Sequence, residues 1–458
     1  MVCCIYFAFM LQLFNKFVKN GKVCGNEALP RGFSVMLSKW MQKTPTGKIV
    51  AFWNMMGSLV NAATSVVLLM MVTRTLGDEK AGIFSLGFSV SLMMQTVGVF
   101  EVRPFQSTDI YKQFTFSQYF SFRLLSCLLM LICAIGYVLV NAFSAEKAWV
   151  ILLLCILKCV EAVCDVFNGQ AQQNERLDIA GFSLSVRVCV YCVGFLLSLL
   201  LTRNLLLSCA VMTVFALLWL LFFDVKTGKY FEKCRLDFQK SALLGIFKAC
   251  FPLFLASFLM MYINNAPKFS VDAYLSDEYQ TYYGIIFMPA SVINLFSLFA
   301  FRPLLTKLTA MWNENRQKVF LLTVGKLILW ILFVTAAALT AGWLLGIPVL
   351  TLLYGTDLSA YKAELMVVLV GGGFNALCVL LYYMITVMRR QKYVLIGYVV
   401  AALTAYFAGD RFVRAYGLMG ASYTYLLSVV VLCVLFIGIF AGVLLSRKKE
   451  KERAHQNG

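Results

Sequence analysis

Polar side chains recur at helical spacing inside long apolar stretches of this chain. Asn54, Ser58, Asn61 and Ser65 fall at i, i+4, i+7 and i+11, which is one face of a helix. Ser257, Asn264 and Lys268 form a second stripe at i, i+7 and i+11, with Asn265 beside it. Amides and hydroxyls so placed either join helices or line a water-filled cavity. Two stripes favour a shared cavity, with Asn54, Ser58, Asn61, Asn264, Asn265 and Lys268 as candidates to bind substrate.

Full charges inside apolar stretches are costly and usually pair or face water. Lys158, Glu161 and Asp165 lie at i, i+3 and i+7, with Arg123 and Arg187 on neighbouring stretches. Two readings fit them: a buried salt-bridge cluster, or a site for a polar head group or a coupling proton. Glu161 and Arg187 come out at similar depth and are expected to pair. Arg103 and Arg302 each precede a proline at the end of an apolar run. They read as anchors at the membrane surface or as contacts for an anionic group. The one histidine, His455, sits in a charged tail, so His-based metal or triad chemistry has no basis. No phosphate loop or metal-ligand spacing appears, and no cofactor is implied. The 15 cysteines lie mostly in apolar runs and read as small apolar residues rather than disulfides.

These residues require membrane-crossing elements to hold them. The 458-residue chain is 61% hydrophobic and 14% charged, against about 25% charged in soluble domains. It divides into twelve expected spans, near 48–73, 81–101, 119–142, 147–168, 179–202, 204–223, 243–266, 282–301, 319–345, 361–388, 393–409 and 415–446. The fold class is therefore all-α integral membrane. Leu76–Pro104 recurs as Leu275–Pro303 without a gap, at an offset of 199. Asp78/Asp277, Glu79/Glu278, Phe88/Phe287, Phe100/Phe299, Arg103/Arg302 and Pro104/Pro303 coincide. A span repeated in one orientation implies two six-helix halves, 48–223 and 243–446, related by an axis along the membrane normal. The polar stretch 224–242 links them, and 447–458 is a basic tail. Residues 1–47 form a leader that reads as an interfacial segment or as the product of an early start codon before Met41. Most of the 40 Lys and Arg fall in segments on one side, which places both termini in the cytoplasm. The net charge of +18 then reflects topology, not nucleic-acid binding.

Three segments carry a family resemblance: RPFQSTD (103–109), RLDIAG (176–181) and YYGIIFMPASVINLFSLFAFRPLL (282–305). With them, residues 47–446 resemble the polysaccharide-exporter branch of the MOP superfamily, the flippases of O-antigen and capsule synthesis. The resemblance implies a MOP/MATE-like fold in the cytoplasmic membrane. It also implies transfer of an undecaprenyl-pyrophosphate-linked oligosaccharide between leaflets, without enzymatic chemistry. Expected partners are that lipid-linked oligosaccharide, membrane lipid, a polysaccharide polymerase and glycosyltransferases. The family lines its cavity with helices 1, 2, 7 and 8, which here carry the repeat and both stripes, and often meets the pyrophosphate with Arg or Lys. A MATE-type cation-coupled multidrug exporter, using Glu161 or Asp165 for coupling, is the alternative. A membrane glycosyltransferase or polymerase needs a large outer loop, and none is expected.

Overall fold

The computed structural model describes residues 40, 44–109, 111–232, 234–301, 304–314, 316–390 and 392–456. Met1–Gly47 is one unit and Lys48–Gly458 another, and the second is described here. Among the described residues all regular structure is helical. The first half holds α1 (Gly47–Leu76), α2 (Asp78–Val99), α3 (Phe116–Asn141), α4 (Ala145–Gln173), α5 (Leu177–Thr202) and α6 (Leu205–Trp219). A π turn, Leu220–Asp224, carries α6 on into Val225–Phe231. The second half holds α7 (Lys240–Tyr274), α8 (Asp277–Phe301), α9 (Gln317–Ala341) and α10 (Lys362–Val387). Lys392–Gln456 then divides at Gly417 into α11 (392–416) and α12 (418–456). Gly417 has φ 57° and ψ −132°, a conformation open to glycine and strained for other residues.

These are the twelve expected helices. Among the described residues, ten segments are individually long and apolar enough to cross a membrane. That number joins α11 and α12, and it omits α4, which Lys158, Glu161 and Asp165 make too charged. The chain is thus a multi-pass membrane protein. The link between halves is shorter than 224–242: helix persists to Phe231, and Asp224 is 2% exposed within the bundle. The extended part near 234–239 lies across the start of α3, where Asp237 N donates to Ser121 Oγ at 2.8 Å. We call this the linker end of the bundle, and the opposite end the far end.

The internal repeat is visible as a contact made twice. Thr281 Oγ1 donates to the Asp78 carbonyl at 2.6 Å. Shifting both residues by 199 gives Gly82 and Asp277, and a Cβ on Gly82 would collide with the Asp277 carbonyl. Between these contacts Ser85 faces Gly284, again 199 apart, with a Cβ on Gly284 falling 2.5 Å from Ser85 Oγ. So α2 and α8 cross on a pseudo-two-fold axis, and small residues at the crossing let the backbones meet.

Each half is built around its fourth helix. In the first, Leu86, Val90 and Met94 of α2, Met130 and Ala134 of α3, and Ile151 and Cys155 of α4 form one buried cluster. In the second, Gly371, Gly372 and Gly373 of α10 meet a different helix each. A Cβ at these positions would lie 2.7 Å from Tyr425 on α12, 2.9 Å from Ala290 on α8 and 2.6 Å from Thr335 on α9. Three successive residues point about 100° apart around a helix, so a glycine triad lets three neighbours approach at one level. Close packing is the role seen for this triad.

Candidate functional site

A cavity of about 230 Å³ opens between the halves in the middle of the bundle. From the first half, α1 contributes Ser65 and α2 contributes Ser85, Phe88 and Ser89. From the second half, α7 contributes Asn264, Asn265 and Lys268, and α8 contributes Phe287, Ser291 and Asn294. Asn375 of α10 and Tyr425 of α12 complete its polar lining. Lys268 is the one charged side chain among these described lining residues, and none of them is a carboxylate. Its Nζ donates to Ser89 Oγ at 3.1 Å, across the seam, and lies 5.3 Å from the centre of the Phe287 ring.

Local sequence explains how α7 presents this group. Pro267 has no N–H, so the Ile263 carbonyl loses its usual helical donor just where the polar residues gather. Asn265 turns Nδ2 back onto the Met261 carbonyl at 2.9 Å. The Asn294 side-chain oxygen, Oδ1, is buried in the cavity wall without a hydrogen-bond partner among the described residues. Among apolar lining residues such as Leu69, Phe84 and Met288, the cavity offers hydroxyls, amides and one ammonium, polar groups suited to sugar hydroxyls and to an anion.

The first stripe continues away from the cavity. Asn54, Ser58 and Asn61 do not line it; they are exposed on the face of α1 that Ser65 shares. They lead from the cavity towards the linker end, and Ser58 Oγ donates back to the Asn54 carbonyl at 2.9 Å. On the second stripe Ser257 lies apart, meeting the Glu101 carboxylate.

The intramembrane charges form pairs, but not the expected ones. Glu161 binds Lys158 of its own helix at 2.8 Å and accepts from Tyr191 Oη at 2.9 Å and Gln95 Nε2 at 3.2 Å. Arg187 turns instead to Asp224 on the π turn, at 3.6 Å. The expected Glu161–Arg187 pair is not formed. Lys158 stands one turn away on the same face of α4 and satisfies Glu161, which leaves Arg187 for Asp224. Asp165 holds two arginines, Arg123 at 3.2 Å and Arg103 at 3.2 Å. Arg123 is wholly buried and also donates to the Gly98 carbonyl at 2.7 Å.

Arg103 is therefore not a free anchor at the membrane surface: Asp165 and Gln172 Oε1, the latter at 3.1 Å, hold it inside the first half. Arg302 lies outside the described residues. The family-like segments have structural work as well. In 103–109, buried Gln106 donates to the Val166 carbonyl, and Asp109 accepts from Tyr119 Oη at 3.0 Å. In 176–181, Arg176 grips Asp178 at 2.9 Å, and Gly181 lets α5 meet the backbone at Trp53 of α1.

Sequence reasoning missed Ser85, Ser89, Ser291, Asn294 and Asn375 as cavity residues. Spacings of i, i+4 on α2 and i, i+3 on α8 were readable, but single hydroxyls in apolar helices are too common to stand out.

By sequence, no family model and no curated protein matches the chain. By structure, it is similar to the inward-facing form of a multidrug resistance MATE family transporter of the MOP superfamily. That match has TM-score 0.62 and 13% identity, and covers 89% of this chain and 99% of the other. It is similar to the lipid II flippase MurJ in an inward closed conformation, with TM-score 0.64, 13% identity, and 85% and 91% covered. A third likeness is to a MOP superfamily transporter from Pyrococcus furiosus described by a binding pocket of reverse polarity. There the TM-score is 0.54, the identity 14%, and the coverage 88% and 98%. The likeness extends to flippase and multidrug transporters alike, and the fold of this chain is that of the MOP superfamily transporters.

Proposed function

We propose that this protein is a flippase for a lipid-linked oligosaccharide, carrying an undecaprenyl-pyrophosphate-type substrate between leaflets by alternating access during surface polysaccharide synthesis. One observation carries the reading: beside an apolar wall the cavity between the halves presents hydroxyls and amides, and Lys268 is the only charge among its described lining residues. Sugar hydroxyls find donors and acceptors there, and an anionic group finds an ammonium that has no carboxylate partner among the described residues. A cationic drug would meet like charge. The multidrug alternative also needs an available membrane carboxylate, whereas Glu161 and Asp165 are both engaged by cations.

In this reading the linker end faces the cytoplasm. The head group enters past the exposed polar face of α1 at Asn54, Ser58 and Asn61 and reaches Lys268. Entry beside the linker end of α2 is obstructed, because Phe100 there stacks on Phe254 of α7 with centroids 4.3 Å apart. Lys268 rather than Arg103 meets the anionic group in this reading, since Arg103 is committed to Asp165.

The test uses Lys268→Ala, Lys268→Glu and Lys268→Arg, scored for surface polysaccharide and for protein level in membranes. Lys268→Ala is expected to lower surface glycan at least about tenfold, the factor given by losing about 1.4 kcal/mol of binding. Lys268→Glu is expected to abolish export, and Lys268→Arg to retain part of it. Unchanged surface glycan with Lys268→Glu sinks the proposal, and a gain in drug sensitivity instead would transfer the case to the multidrug reading.

A further inference from the structure

The two ends of the seam between the halves are held by different forces. At the far end Lys147, on the first turn of α4, reaches across to Asp272 on α7 and to Asp277, which opens α8; the Asp277 contact is 2.6 Å. The three side chains are 11%, 8% and 26% exposed, so all are largely withdrawn from water. The preceding residue, Glu146, stays within its own half, paired with Lys80 at 2.5 Å. Among the described residues, the bridges from Lys147 are the only ion pairs that join the halves. They sit above the steric contact of Gly82 with Asp277 and beside the Tyr137–Phe269 ring contact at 6.3 Å. At the linker end the crossing contacts include no ion pair among the described residues: Phe100 packs against Phe247 and Phe254 at 5.5 and 4.3 Å, and beside it the Glu101 carboxylate meets the Ser257 hydroxyl.

We propose that Lys147 is an electrostatic latch that holds the far end shut, so that opening there requires releasing its ammonium from both Asp272 and Asp277. Separating the halves strands three charges that pair only while the seam is closed. Parting the linker end separates Phe100 from α7 and the Ser257 hydroxyl from Glu101, but breaks no ion pair among the described residues. The resting preference for far-end closure therefore resides in one N-terminal-half lysine and two C-terminal-half aspartates. This holds whatever the substrate is, so it can fail or survive independently of the flippase reading.

The experiment places one cysteine at Ser291, a cavity position, in a variant with all native cysteines replaced, and adds a membrane-impermeant maleimide to intact cells. A parallel Ser276→Cys variant, exposed at the far end, reports whether that end faces outward. Its labelling is expected; failure to label overturns the orientation, and the comparison is then read in inside-out vesicles. Lys147→Gln is expected to raise the Ser291→Cys labelling rate at least about tenfold, the ratio that about 1.4 kcal/mol of lost closure energy produces. Lys147→Arg, which keeps the charge, is expected to stay near the parent rate. Asp272→Asn and Asp277→Asn each leave the lysine one carboxylate and are expected to fall between. Parent-like labelling in a folded Lys147→Gln protein overturns the latch. If that variant does not accumulate, parent-like labelling in both asparagine variants overturns it instead.

Discussion

The fourth helix of each half occupies the same place in the repeat, yet α4 and α10 hold their neighbours by opposite means. Helix α4 reaches them with charge: Glu161 to Gln95 on α2 and Tyr191 on α5, and Asp165 to Arg123 on α3. Helix α10 reaches the counterparts of α2, α3 and α6 with glycine, one each for α8, α9 and α12. Of the nine described ion pairs, six lie inside the first half and one, exposed, inside the second. A membrane interior supports both solutions, since close backbone packing and satisfied buried polar groups can each replace the hydrophobic drive that lipid removes. The consequence is a division of labour. The first half spends its deep cations on itself, while the second, knit by glycine, leaves Lys268 to face the cavity.

The comparison breaks first at Asp165. Asp165→Asn removes the counter-charge of fully buried Arg123 and of Arg103, and is expected to cost about 3–5 kcal/mol, read as a lowered Tm in detergent. A Tm within error of the parent would show that α4 does not hold its half by charge. A smaller loss is expected for Gly372→Val, whose added methyls would press on Ala290 of α8; overpacking of this kind costs about 1–3 kcal/mol. The same measurement applies, and a neutral outcome would mean that α8 and α10 can separate freely. The smallest effect is expected for Arg103→Gln. Its side chain is 29% exposed, and Asp165 keeps Arg123, so the change should stay within about 1 kcal/mol. A loss as large as that of Asp165→Asn would make Arg103, not Arg123, the main partner.

Much of this architecture was legible because it depends on local order along the chain. Apolar runs of sufficient length announced the helices, and a gapless offset of 199 announced the pseudo-two-fold axis later seen at Ser85 and Gly284. The stripe spacing put Asn264, Asn265 and Lys268 on the cavity side, because helical periodicity fixes which residues share a face. It could not say where along the stripe the cavity would end, so Asn54, Ser58 and Asn61 fell outside it.

Sequence by itself determined the number and class of the elements, the duplication, and the presence of charge inside the first half. Tertiary structure alone decided the partners. Whether Glu161 meets Arg187 or Lys158, and whether Arg103 anchors at a surface or binds Asp165, depends on the rotation and depth of separate helices. Those are set by packing at contacts such as Gly181 against Trp53 and Gly82 against Asp277. A buried charge takes the first satisfactory partner within a few ångströms, and helix packing determines which partner that is.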